Sequence, residues 1–127
     1  MKWVATWAAS PQGPYPIGAA VAQPDLSFAL PTGSTNGAIE QTFRLIIKPD
    51  LWGDTIRLRF SNNFGTQAVT LGSVTVGLQN YAGNVVPETN TKVTFSGSAS
   101  ATIPLGQEIY SDRALQPVRH DHLKDRI

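Results

Sequence analysis

Between Gln41 and Asn80 apolar and polar residues alternate one by one, and turn formers interrupt the alternation at short intervals. Phe43, Leu45 and Ile47 alternate with Thr42, Arg44 and Ile46. Ile56, Leu58 and Phe60 alternate with Arg57, Arg59 and Ser61. Val74, Val76 and Leu78 alternate with Thr75 and Gly77. Side chains two apart on a strand share a face, so each run carries one apolar face. The same reading predicts strands over 2–9, 40–48, 54–61, 67–79, 92–96, 99–103 and 108–111. Turns are expected at Pro49–Gly53, at Asn62-Asn63-Phe64-Gly65 with Gly65 able to take positive φ, at Ala82-Gly83-Asn84, and at Pro104-Leu105-Gly106. Short strands at this spacing predict an all-β chain, an antiparallel β-sandwich of jelly-roll-like form. Its core is expected at Phe43, Leu45, Ile47, Ile56, Leu58, Phe60, Val74, Val76 and Leu78.

Residues 10–31 break this pattern. Pro11, Gly13, Pro14, Pro16, Gly18, Pro24 and Pro31 forbid a long ladder or helix there. A loop of that length usually carries function or packs across a face. A flexible tip is expected over 31–37.

Composition narrows the class. The 127 residues suit one domain, with a β-sandwich over 1–112 and a charged tail over 113–127, disordered or left by truncation. Charged residues make up only 15%, and Gly 11 and Pro 9 fit a loop-rich β domain better than a helical one. A net charge of +1 gives no electrostatic reason to expect nucleic acid or an anionic membrane. No apolar run approaches the roughly 18 residues that span a bilayer. With no cysteine there is neither a disulfide framework nor a thiolate metal site.

Several stretches taken together carry a resemblance. They are Trp3-Val4-Ala5-Thr6-Trp7-Ala8-Ala9-Ser10-Pro11, Gln41-Thr42-Phe43-Arg44, and Gly53-Asp54 with Ile56-Arg57-Leu58-Arg59-Phe60-Ser61-Asn62. Phe64-Gly65-Thr66, Phe95-Ser96-Gly97, Ile103-Pro104-Leu105-Gly106 and Ser111-Asp112 complete the set. In order and spacing they resemble the N-terminal β-sandwich region of secreted bacterial SGNH/GDSL-type esterases, the subgroup linked to xylan deacetylation. The resemblance runs from Trp3 to Asp112; the tail RALQPVRHDHLKDRI departs from it. That family's catalytic part follows this region and carries a Gly-Asp-Ser nucleophile motif. Here Gly53-Asp54 is followed by Thr55, and Gly33-Ser34, Gly72-Ser73 and Gly97-Ser98 lack the Asp. No Gly-x-Ser-x-Gly elbow occurs either. The resemblance therefore implies an accessory domain of an esterase without the catalytic machinery. It also implies secretion, with the signal peptide trimmed away; the sequence alone leaves a cytoplasmic protein as the alternative.

Four groups of residues invite a chemical role. His120-Asp121-His122 has the look of a metal site or a triad remnant, but no third ligand cluster accompanies it, and it reads as a solvated tail or a truncation scar. No metal or cofactor is expected. Arg44, Arg57 and Arg59 fall on the outward faces of two strands expected to pair. They would grip an acidic sugar, face a catalytic domain, or lay their stems over apolar neighbours and pair with Glu40, Asp50 or Asp54. Trp3, Trp7, Tyr15, Trp52 and Tyr81 offer flat faces for sugar rings. Trp52, at a turn, and Tyr81 are the ligand candidates, while Trp3 and Trp7 read as core or interface. Ser61-Asn62-Asn63 reads as a turn whose side chains bond their own backbone.

The expected function is that of a non-catalytic accessory domain. It would either hold polysaccharide near a catalytic partner, through Trp52, Tyr81, Arg44, Arg57 and Arg59, or buttress the esterase domain of the parent protein. The alternative is a carbohydrate-ester or lipid-ester hydrolase completed by another segment or chain. A sandwich whose sheet lacks a closing strand leaves an unpaired edge, so a homodimer through Trp3, Trp7 and Glu108-Ile109-Tyr110 is also expected.

Overall fold

The computed structural model describes residues 2–11 and 38–115. Every regular element among them is a strand. These are β1 (Thr55–Ile56), β2 (Arg59–Ser61), β3 (Val69–Leu71), β4 (Val74–Val76), β5 (Thr91–Val93), β6 (Ala101–Ile103), β7 (Glu108–Tyr110) and β8 (Ala114–Leu115). The all-β expectation holds. All four ladders are antiparallel and nested: β1 with β8, β2 with β7, β3 with β6, and β4 with β5. This is the pairing order of one long hairpin. Each ladder is two-stranded, and the pairing shows an antiparallel all-β chain.

The run expected over 54–61 splits into β1 and β2, and the run over 67–79 into β3 and β4. The first split has a visible cause. Ile56 pairs with Ala114 and Arg59 with Tyr110, so Arg57 and Leu58 face Ser111, Asp112 and Arg113, one residue more on the second strand. That extra residue makes a β-bulge, which bends the strand and re-aims its side chains. β8 begins two residues past Asp112, where the sequence reading ends the domain.

Val93, Phe95 and Ala114 form the buried centre. Ile56, Leu58, Phe60, Val74, Val76 and Ile109 pack against it from β1, the link after it, β2, β4 and β7. The Phe60 and Phe95 rings meet at 5.8 Å between centroids, tilted by 57°. Ile103 is buried as well. The predicted core is therefore right for Ile56, Leu58, Phe60, Val74 and Val76, and Leu78 is half-buried. It is wrong for the first strand: Phe43 is 68% and Leu45 78% exposed, and Ile47 is exposed too. No ladder forms over 40–48 or 2–9 among the described residues; a backbone bond from Asp50 N–H to the Thr6 carbonyl, 3.0 Å, joins the bend after the first to the second. Alternation gives a segment two faces, but burial needs a neighbour to cover one of them.

The turns mostly fall where expected. Gln79 bridges Val85 across the turn at 80–84, and Gly106 has a φ of 70°. Gly65 differs: its φ is not positive. Glycine is needed there for space, because a Cβ would fall on the Asn62 side-chain amide. Asn62 is itself buried, and its Nδ2 donates to the carbonyls of Gln67 (2.8 Å), Ile103 (3.1 Å) and Pro104 (3.2 Å). Its backbone carbonyl accepts from Gly65 and Gly106. One side chain thus ties the turn after β2 to the turn after β6. The sequence reading had Asn62 bonding only locally.

Candidate functional site

The bulge between β1–β8 and β2–β7 positions the one cluster of cations and rings among the described residues. Ser111 organises it from a buried position. Its N–H donates to the Leu58 carbonyl (2.9 Å), while its Oγ accepts from Leu58 N–H (2.9 Å) and donates to the Asp112 carbonyl (2.8 Å). A side-chain hydroxyl therefore replaces a ladder partner lost to the bulge. The Ser111 carbonyl accepts from Arg57 Nε at 3.3 Å, which fixes the guanidinium at its inner nitrogen.

Arg57 and Arg59 stand two apart and share the outward face, as predicted. Tyr110 lies directly opposite Arg59 in register. The Arg57 guanidinium carbon sits 4.6 Å from the Tyr110 ring centroid and 6.0 Å from that of Trp3, and Arg113 lies 5.8 Å from Trp3. These distances are those of cation–π attraction. Arg59 binds Glu108 at 3.6 Å, and Glu108 also accepts from Asn63 Nδ2 at 3.0 Å. The Arg59 pKa is raised above the ordinary arginine value, first by a side-chain hydrogen bond with Tyr110 and then by the Glu108 charge. Trp3 and Tyr110 both remain exposed.

Asp112 closes the inner side of the bulge. Its carboxylate accepts from Thr94 Oγ1 (2.7 Å) and from the backbone N–H groups of Gly97 (2.8 Å) and Ser96 (3.0 Å). Ser96 and Gly97 have φ values of 50° and 82°, the paired positive φ of a type I′ hairpin turn. The Asp112 pKa is lowered, chiefly by the Gly97 N–H and then by the Thr94 hydroxyl, with Ser96 and the Arg57 charge adding to them.

The five ligand candidates from the sequence do not converge. Arg57 and Arg59 belong to the bulge face. Arg44 lies in no strand; its Nη1 donates to the Gly83 carbonyl, at the turn that carries exposed Tyr81. The expectation that three arginines share one sheet face fails because residues 40–48 do not pair with β1 and β2. Trp52 is exposed on the 50–54 bend and joins neither group. The acid expected to pair with these arginines was Glu40, Asp50 or Asp54; the one found is Glu108. Trp3, Tyr110 and Arg113 complete the bulge face, and sequence reasoning missed them there. Period-two spacing puts Tyr110 on the face of Glu108, but only the register opposite Arg59 brings it to the cluster.

Among the described residues no three His, Cys, Asp or Glu gather to hold a metal, and no helix is long and apolar enough to cross a membrane. His120-Asp121-His122, Tyr15 and the loop tip over 31–37 lie outside the described residues. Ser111 is buried with both hydroxyl bonds spent on backbone, so it is not an activated nucleophile. What the face can do chemically is bind: flat rings beside planar donors, on a scaffold held by backbone bonds. No family model matches the chain, and no curated protein matches it.

Proposed function

We propose that this chain is a jelly-roll-like, non-catalytic accessory domain of a secreted SGNH/GDSL-type esterase, and that it holds polysaccharide near the catalytic partner. The observation that carries this reading is the exposed group of Trp3, Arg57, Tyr110 and Arg113, with both arginines at the indole and Arg57 also at the phenol. Aromatic faces suit the apolar C–H faces of pyranose rings, and guanidinium groups donate to ring hydroxyls. Holding the polymer raises the concentration of its esters at the partner. The test is electrophoresis through gels containing xylan or other polysaccharides. The chain migrates more slowly in at least one of them, and Trp3→Ala and Tyr110→Ala, shown folded by circular dichroism, lose the retardation. Trp52→Ala, outside the face, is the comparison variant. Unchanged migration on every polysaccharide rejects the reading.

A second observation favours a buttressing role for the other part of the chain. Trp7, Ile39, Phe43, Leu45, Ile46 and Leu51 are all exposed. Apart from Trp7 these lie along the one segment 39–51, and exposed apolar side chains of this size gain by burial against another surface. In this reading the segment is the side that packs on the catalytic unit, and the bulge face is left open to the polymer.

A further inference from the structure

We infer that the bulge face selects acidic glycans, with Arg57 and Arg113 receiving the carboxylate of a uronate residue. This deepens the polysaccharide reading and rests on it. The face carries three guanidinium groups, and they are not equivalent. Arg59 is already matched to Glu108 at 3.6 Å. Arg57 and Arg113 have no ion pair among the described residues. The carboxylate beside them, Asp112, feels the Arg57 charge but makes no ion pair with it: its oxygens take the Thr94 hydroxyl and the Ser96 and Gly97 N–H groups.

Both of these guanidinium groups lie at the same indole, at 6.0 and 5.8 Å from its centroid. They can therefore be no farther apart than twice their distance from that ring. An anion bound at this indole meets both positive charges. Arg57 spends its Nε on the Ser111 carbonyl. Its two terminal nitrogens remain in one plane, which is the fork that accepts a carboxylate through parallel bonds. Ring contact at Tyr110 and Trp3 restrains that plane before any ligand arrives, so little order remains to be lost on binding. A neutral sugar would satisfy the rings and bring neither arginine a carboxylate. A uronate has the same ring with a carboxylate at its rim.

The test compares polygalacturonate, its carboxyl-reduced neutral counterpart, xylan and polyglutamate in affinity gels. A charge-assisted pair on the ligand predicts a preference of roughly tenfold or more for polygalacturonate over the reduced polymer. In Arg57→Gln and Arg113→Gln that ratio falls, and in the double variant it approaches unity. Arg113→Gln is the safer variant for folding, because Arg57 also donates to the Ser111 backbone. Equal retardation by the acidic and reduced polymers overturns the inference and leaves polysaccharide binding standing. Equal retardation by polyglutamate also overturns it, since bare polyanion attraction would then suffice. A preference that survives the double variant rejects the assignment to these two arginines. Unchanged migration in every gel rejects both this inference and the reading beneath it.

Discussion

Removing the Asn62 side chain tests whether one buried amide holds two turns together. In Asn62→Ala the carbonyls of Gln67, Ile103 and Pro104 lose their shared donor. Pro104 keeps a second partner, the Gln107 N–H at 3.2 Å. The amide has only two hydrogens for three acceptors, so the loss is about two hydrogen bonds' worth. At about 1 kcal/mol net for each, plus the penalty on a buried acceptor left dry, the cost is about 2–4 kcal/mol. Asn62→Asp keeps the shape but points a carboxylate at three carbonyl oxygens, so at neutral pH it costs more than the alanine. Gly65→Ala reaches the same amide from outside, since its Cβ would overlap Asn62 Oδ1 and lie 2.8 Å from Cγ. It expels the side chain that the first variant deletes. The two changes are therefore strongly non-additive, and the double variant costs little more than either single one. Urea unfolding followed by tryptophan fluorescence measures the parent and all four variants. A cost for Asn62→Ala below about 0.5 kcal/mol, within the range of ordinary surface substitutions, refutes the reasoning. So does an aspartate variant as stable as the parent.

Two further outcomes follow from single residues. The folded-state pKa of Asp112 lies below the ordinary 3.8, so its contribution is full above that value and is lost as pH falls through the lowered one. The stability gap between the parent and Asp112→Asn, read from urea midpoints, is therefore widest near neutrality and narrows below about pH 4; a gap that grows on acidification contradicts the sign. Ala82 sits at a φ of 49°, where a Cβ is disfavoured, so Ala82→Gly raises stability by about 1 kcal/mol, and a lower melting temperature for this variant contradicts that expectation.

The second half of the fold was legible in the sequence because each alternating run found a partner in register. Ile56, Leu58 and Phe60 are half-buried because β7 and β8 lie opposite. The same alternation in Phe43, Leu45 and Ile47 misled, since periodicity describes a segment and not what covers it. Val93 and Phe95 carried the signal as well, spaced by two within Thr91–Phe95, but the run is short and flanked by polar residues. At the bulge face, spacing revealed that Arg57 and Arg59 share a side. The gathering of Trp3, Tyr110 and Arg113 depends on one extra residue in the strand opposite, and local pattern gives no sign of it. Asn62 was read as a turn former for the same reason, since its partners at 103 and 104 lie far along the chain.

The nesting of the ladders also sets an order in time. β4 and β5 are the nearest partners in sequence, and each ladder outward joins segments farther apart. Closing a loop costs more entropy the longer it is, but every inner ladder already formed shortens the free chain the next must close. Assembly that proceeds from β4–β5 outward avoids the large closures, like a zip run from its fold to its open end. The arginine face straddles the outermost pairings. It is therefore assembled last and opens first, and a nascent chain acquires it only once the hairpin inside has been drawn together.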